Sequence, residues 1–274
     1  MYSMKKSNIK IAGIQFTGTT NIKENLDIIF DYIDTAIKNN IDLIVLPEIA
    51  NIVQMDKSLL KKAINNDSSD FLSKLQNKAK HYNVAIHIGS MVVKDGKKFA
   101  NRSYVINKQG KIISTYDKIH MFDVNLENNE SYKESDYYNN GSEISIADFN
   151  KFKYGLSICY DIRFPMLFQE LSLRGADIIA IPSCFTHTTG IAHWEILARA
   201  RAIETGSFII AIGQTGLHQD GRKTYGHSIV VNPWGEVIAK MGEEQGILYA
   251  NINLVEVETV RNQIPKLKSI TDFK

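Results

Sequence analysis

The sequence predicts a mixed α/β fold, and three features of its patterning carry that prediction. Short apolar runs, of the kind found in strands buried on both faces, alternate with amphipathic stretches of helical period. Two turn signals, Asp95-Gly96 and Gln109-Gly110, join neighbouring strand-like runs as antiparallel hairpins. Elsewhere a strand, a helix and a strand follow one another directly, the order that favours parallel neighbours.

Taken in order, residues 10–16 read as a first strand and residues 21–40 as a helix. Ile22, Leu26, Ile29, Ile33 and Ile37 fall on one helical face, and Asn21 with Glu24 has the form of a capping box. Residues 41–46 are a continuous apolar run that ends in Pro47-Glu48. A helical region over 57–81 precedes three further strands at 84–93, 99–107 and 111–118. Residues 120–143 are polar, Asn-rich and without period, which reads as a lid or binding segment. The next strand, 154–159, ends at Cys159. A helix over 165–173 stops before Gly175, and 177–183 is again a buried strand. Residues 193–204 are helical and 207–215 form a strand. Strands at 228–231 and 237–239 flank a Pro-Trp-Gly turn, 246–252 is the last strand, and a final helix follows. No repeat or linker interrupts this order, so residues 1–274 read as a single domain.

Composition fits a soluble protein with a large core. Apolar residues make up 44% and charged residues 23% of the 274 positions, both ordinary values. The net charge of +2, without a basic stripe carrying interleaved aromatics, gives nucleic-acid binding no support. No apolar stretch reaches membrane-spanning length, and no apolar segment follows the charged N-terminus as a secretion signal requires. The expected location is cytoplasmic. The two cysteines, Cys159 and Cys184, are therefore expected as free thiols.

Three polar residues stand at the ends of strand-like runs, where a core-facing pattern gives no reason for them: Glu48, Lys118 and Cys159. Each alone has an ordinary reading, a buried core thiol for Cys159 and a surface ion pair for the other two. Together they are a workable set for acyl transfer. The carboxylate serves as base, the ammonium stabilises developing negative charge, and the sulfur attacks. Cys184, His187 and His193 form a loose Cys-x2-His-x5-His that matches no common zinc spacing, so no metal is expected there.

Leu46-Pro47-Glu48, Tyr116-Asp117-Lys118-Ile119-His120-Met121-Phe122-Asp123 and Ile158-Cys159-Tyr160-Asp161-Ile162-Arg163-Phe164-Pro165 resemble the three signature blocks of the nitrilase superfamily of carbon–nitrogen hydrolases, in the right order. Three separated blocks form a specific signal. Ala192-His193-Trp194-Glu195, Arg199-Ala200-Arg201-Ala202-Ile203-Glu204-Thr205, Tyr225-Gly226-His227-Ser228 and Asn232-Pro233-Trp234-Gly235 resemble the branch that hydrolyses deaminated glutathione, and its relatives the ω-amidases. True nitrilases usually carry Trp-Glu after the cysteine, where this chain has Tyr160-Asp161.

The resemblance implies a four-layer α-β-β-α sandwich that pairs into a homodimer or higher homo-oligomer, and an amidase that uses no cofactor. It implies Glu48 as general base, Lys118 as oxyanion-stabilising cation and Cys159 as nucleophile, with the Tyr160 N–H as a second oxyanion donor. A neighbouring ammonium and a helix N-terminus would favour the thiolate, whose thiol otherwise has a pKa of about 8.5. The family's second glutamate maps to Glu134, with Glu130 as the other acidic residue of the same loop. Gly141 stands where relatives have a Pro-Gly turn, with Asn140 in place of the proline.

Phe185 and Thr186 follow a strand end on the same rim and read as pocket walls. Arg199 and Arg201 read as ion-pair partners of Glu195 and Glu204, and Asp161 and Arg163 as braces of the cysteine turn. His120 and His227 read as packed imidazoles, Trp194 and Trp234 as packing residues. The expected substrate is a small α-keto acid amide, deaminated glutathione foremost. α-Ketoglutaramate shares its acyl half, N-carbamoyl amino acids are a further alternative, and a binding or scaffold protein on the same fold is the non-enzymatic one.

Overall fold

The computed structural model describes residues 8–67, 70–126 and 131–265. Its first half runs β1 (Asn8–Gln15), α1 (Ile22–Ala36), β2 (Leu43–Val45), α2 (Lys57–Asn65), α3 (Phe71–Tyr82), β3 (Ala85–Asp95), β4 (Lys98–Ile106) and β5 (Ile112–Asp117). A short segment of β6 (Asp123–Asn125), β7 (Ser131–Lys133) and β8 (Tyr138–Asn139) precedes β9 (Ile146–Asp148). The second half continues with β10 (Lys153–Leu156), α4 (Pro165–Leu173), β11 (Ile178–Ala180), α5 (His187–Thr205) and β12 (Phe208–Ala211). It closes with β13 (Thr215–Leu217), β14 (Lys223–Tyr225), β15 (Ile229–Val231), β16 (Val237–Lys240), β17 (Gly246–Asn253) and α6 (Val255–Gln263).

Two large sheets form among the described residues, in strand orders β17-β1-β2-β3-β4-β5, with β8 on β4, and β16-β15-β12-β11-β10-β9, beside the two-stranded ribbons β13-β14 and β6-β7. Each large sheet has three parallel strands at its centre, β1-β2-β3 in one and β10-β11-β12 in the other, flanked by antiparallel partners. The period-2 alternation of each strand explains the layering. Ile9, Ile11, Leu43 and Val45 face the second sheet, while Ala12, Ile14 and Ile44 pack with Ile22, Leu26, Ile29 and Ile33 of α1 and with Phe71 and Leu75 of α3. Helices α4 and α5 cover the far face of the second sheet through Phe168, Leu171, Trp194 and Ala198. This is the α-β-β-α sandwich. Each of these large apolar side chains contributes roughly 1.5–3 kcal/mol by leaving water. A polar bridge also crosses the middle, where His87 of β3 lies 3.0 Å from the Tyr154 hydroxyl of β10.

Several elements differ from the expectation. The helical region at 57–81 is two helices, because Asn66 ends α2 and α3 starts only after Asp70 in a left-handed conformation. The strand before Cys159 stops at Leu156. Helix α5 begins at His187, six residues before the expected start, since Thr186 takes an extended N-cap conformation and Gly190 lets the helix pass the Tyr225 ring. The 120–143 segment carries a small ribbon, β6 with β7, and the strand β8, held by pairing with distant parts of the chain. Trp234 is 52% exposed in the turn before β16, so it is not a core residue.

Candidate active site

The topology brings strand ends together at one rim. β1, β2 and β3 run the same way, β4 reverses and β5 reverses again, so the ends of β2 and β5 point to the same edge. Glu48 and Lys118 follow those two ends. In the facing sheet Cys159 follows β10 and Cys184 follows its parallel neighbour β11. Ligand sites in open α/β sheets form outside such carboxyl ends.

Glu48 sits in a turn fixed from below by β3. Ser90 accepts the Ile49 N–H at 2.7 Å, and its own carbonyl accepts the Ala50 N–H at 2.8 Å. Gly89 is required at the crossing, since a Cβ there would run into the Leu46 and Pro47 carbonyl oxygens. The carboxylate is buried. Its Oε1 accepts from Lys118 Nζ at 2.9 Å and from Asn101 Nδ2 at 2.9 Å, and its Oε2 accepts the Cys184 N–H at 2.6 Å. Lys118 Nζ also donates to Glu134 at 3.0 Å (Oε1) and 2.8 Å (Oε2). Glu134 is tied down in turn by the Phe122 N–H at 2.7 Å. Lys118 thus stands between two carboxylates that hold its ammonium in place. Glu130 lies outside the described residues.

Cys159 opens a 3₁₀ turn, Cys159–Arg163, with φ +47°. A side chain in that left-handed region costs roughly 1–3 kcal/mol, a strain that surrounding contacts must hold. The Cys159 N–H donates to the Pro182 carbonyl at 2.9 Å. Asp161, fully buried, accepts from the Ile158 N–H (2.8 Å), the Tyr116 hydroxyl (2.7 Å) and the His120 N–H (3.1 Å), and its Oδ1 lies 2.7 Å from His120 Nδ1. Arg201 donates to the Ile162 carbonyl at 2.8 Å and pairs with Glu204 at 2.7 Å. The expected roles of Asp161 as brace and of Arg201 as an ion-pair partner both hold. Arg163 instead lies 3.2 Å from His193. Arg199 donates to the Gly235 carbonyl, and Glu195 pairs with Lys240. His120 stacks on Phe164, and His227 stacks on Tyr225.

The electrostatics correct one expectation. Burial, and then the Glu48 charge, push the Cys159 thiol well above its usual range, outweighing the pull of Lys118. The resting sulfur is a neutral thiol facing a carboxylate. Burial would raise the Glu48 carboxyl, but Lys118, the Cys159 thiol and the Cys184 N–H together hold it below the ordinary 4.5. Burial would likewise weaken the Lys118 ammonium, yet Glu134 and Glu48 keep it well above the ordinary 10.5. A neutral thiol beside an ionised base and a permanent cation is arranged for proton transfer in step with attack.

These groups share a cavity of about 260 Å³. Tyr160, Phe185 and Thr186 line it as expected, and so do both cysteines, which are unpaired with each other. Cys184, His187 and His193 do not converge. His187 faces Glu243 at 3.5 Å and His193 faces Arg163, while Cys184 stays in the pocket. Among the lining residues missed in the sequence are Asn101, which bonds Glu48, and Arg222. Asn101 carried a signal, because asparagine is depleted from the interior of strands such as β4; Arg222 lies in a polar hairpin and carried none.

Residues 10–262 match the family model described as carbon-nitrogen hydrolase. The chain is 36% identical over 269 residues to a deaminated glutathione amidase of Yersinia enterocolitica, covering 97% of this chain and 93% of that protein. It is 34% identical over 261 residues to the omega-amidase NIT2 of Bos taurus, covering 94% of each. Its structure superposes on that of Saccharomyces cerevisiae Nit3, titled a member of branch 10 of the nitrilase superfamily, with a TM-score of 0.85 at 31% identity, covering 96% of this chain and 97% of that one.

Proposed function

This chain belongs to the carbon–nitrogen hydrolase family, and from that premise we propose that it is a thiol amidase in which Cys159 attacks the carbonyl carbon of a small α-keto acid amide, deaminated glutathione foremost. The observation that carries the reading is the bonding of Glu48 to Lys118 at 2.9 Å, and of Lys118 to Glu134 at 2.8 Å, in the cavity that holds the Cys159 thiol.

Glu48 takes the thiol proton as the sulfur bonds to the carbonyl carbon. The resulting oxyanion is held by the Lys118 ammonium and by the Tyr160 N–H, since the amides on either side are engaged by Pro182 and Ile158. Glu48 passes the proton to the nitrogen, the C–N bond breaks, and the amine leaves an acyl-thioester on Cys159. Glu48 then deprotonates a water that attacks the thioester. The acid departs and the thiol regains its proton. Glu134 keeps the Lys118 ammonium in position throughout.

α-Ketoglutaramate is equally consistent with the relatives, because it shares the acyl half and differs only in the leaving amine. A comparison of kcat/KM on deaminated glutathione, α-ketoglutaramate, an N-carbamoyl amino acid and a simple nitrile separates the readings. The first two are expected to lead by at least about tenfold, which is about 1.4 kcal/mol of transition-state discrimination. Inactivity on all four moves the assignment to a binding or scaffold role.

We also propose a homodimer or higher homo-oligomer of single-domain chains. The family match across residues 10–262 supports one domain, and Ile191, Ile196 and Ile203, exposed along α5, support a self-associating face. Two free thiols support a cytoplasmic setting. Among the described residues no helix is long and apolar enough to cross a membrane.

A further inference from the structure

The cavity contains two cations held away from bulk water, and they differ in how well they are satisfied. Lys118 is bonded by two carboxylates, Glu48 and Glu134. The Arg222 side chain is only 17% exposed, yet among the described residues its one close hydrogen-bond partner is the Cys184 sulfur, 3.5 Å from Nη1 and a weak acceptor. Its Nε is buried and unpartnered among the described residues, and the nearest carboxylate oxygen, Asp220 Oδ2, stands off at 3.8 Å from Nη2. Elsewhere in the same chain a guanidinium meets a carboxylate with two short bonds, as Arg102 does with Asp117 at 2.6 and 2.8 Å. Buried donors are almost always paired, so a cavity-lining guanidinium whose close partner is only a sulfur is well suited to receive a stronger acceptor.

The backbone presents this group in a fixed place. Arg222 sits just before β14; its N–H donates to Asp220 Oδ1 at 3.0 Å and its carbonyl accepts the His218 N–H at 2.8 Å. His218 is itself buried between the Gly18 carbonyl and the Thr224 hydroxyl, each 2.8 Å away. Arg222 also lines a second cavity with His187 and Lys223, so it stands where the two cavities adjoin. A planar fork with unused donors matches a carboxylate better than any neutral group.

We propose that the Arg222 guanidinium is the specificity-determining group of the site, receiving a carboxylate at the far end of the substrate's acyl half while Cys159 attacks the amide end. The inference rests on the amidase reading and assigns to Arg222 the recognition of the acyl-half carboxylate that the proposed substrates carry.

The test compares glutaramate with pentanamide, which carries a methyl group in place of the carboxylate. The unaltered protein favours glutaramate in kcat/KM. R222M lowers that preference by about 100-fold, mostly through KM, and R222K falls between the two. An equal loss on both amides overturns the proposal, because a purely structural arginine would give that result. A second measurement needs neither turnover nor an Arg222 variant that folds. Calorimetric titration of C159A with glutarate and with the neutral diamide glutaramide should show glutarate binding at least about tenfold tighter, with the advantage shrinking as salt rises. Equal affinity, or no glutarate binding, overturns the subsite. If the unaltered chain hydrolyses no amide while glutarate still binds preferentially, the subsite stands and the amidase reading is what fails.

Discussion

Tyr116 of β5 donates its hydroxyl at 2.7 Å to Asp161, in the 3₁₀ turn that follows β10 of the facing sheet. The bond ties the strand that leads to Lys118 to the turn that carries Cys159, so the separation of cation and nucleophile is set by a buried contact between sheets. Asp161 also accepts the Ile158 N–H directly before the strained cysteine. D161N places an amide N–H against that donor and against the Tyr116 hydroxyl, and is expected to lower kcat by about 10- to 100-fold with little change in KM. Y116F removes one hydrogen bond, about 1 kcal/mol, and should show a smaller effect of the same kind. Steady-state kinetics beside a thermal melt checks this, and a fall in stability with unchanged kcat in both variants counts against a positioning role.

The ionisation states predict a broad pH plateau. Glu48 has its carboxyl below the ordinary 4.5 and Lys118 has its ammonium well above 10.5, so neither changes charge across neutrality. The acid limb of kcat/KM is therefore expected below about pH 4.5, where the base gains a proton. A controlling ionisation between pH 6 and 8 in a substrate-independent profile contradicts the assignment.

The same shift has a stability counterpart. A carboxyl whose folded pKa is depressed contributes stability that is complete above its unfolded value and is lost as pH falls through the folded one. The stability difference between the unaltered chain and E48Q, read from urea midpoints, should be constant from pH 7 down to about 4.5 and should shrink below that. A difference that grows on acidification means that the Glu48 carboxyl is raised.

Lys118 is the keystone of the charge network. K118M leaves two buried carboxylates facing each other, and the expected cost is about 3–5 kcal/mol in folding stability together with about a 10³-fold loss in kcat/KM. E134Q keeps the Glu48–Lys118 bond at 2.9 Å and should lose less on both counts. If K118M is as stable as E134Q at pH 7, the network does not bear the energy assigned to it.

Much of the site was legible in the sequence because Glu48, Lys118 and Cys159 each end a strand-like run, where periodicity leaves a polar residue unexplained. Part of what escaped depended on contacts distant in the chain. Asn101 stands out only as an asparagine inside β4, and its place in the site depends on Glu48 and Glu134, which its Nδ2 meets at 2.9 and 3.3 Å. Arg222 sits in a hairpin whose sequence is as polar as any surface turn, and only the packing of His218 against Gly18 turns it inward. The β6–β7 ribbon escaped for another reason, since local backbone pairing and bonds such as Ser135 N–H to Asp123 hold it where no apolar period does. The state of the thiol was misjudged because burial, which no local sequence signal reports, outweighs the nearby ammonium.

The two thiols should behave differently although both line the cavity. C159A is expected to abolish turnover, a loss of at least about 10³-fold, while C184A retains most of the chemical step, since Glu48 is held by the Cys184 backbone N–H rather than by its sulfur. Comparable losses in both variants would place Cys184 in the chemistry.

The central claim is that the Cys159 sulfur becomes covalently acylated during turnover. Rapid acid quench of the full chain with α-ketoglutaramate, followed by intact and peptide mass spectrometry, reads this directly. The expected result is an adduct of the acyl group on the peptide containing Cys159 and on no other, absent from C159A. Sustained hydrolysis with no acyl adduct at Cys159, or turnover preserved in C159A, would contradict the account.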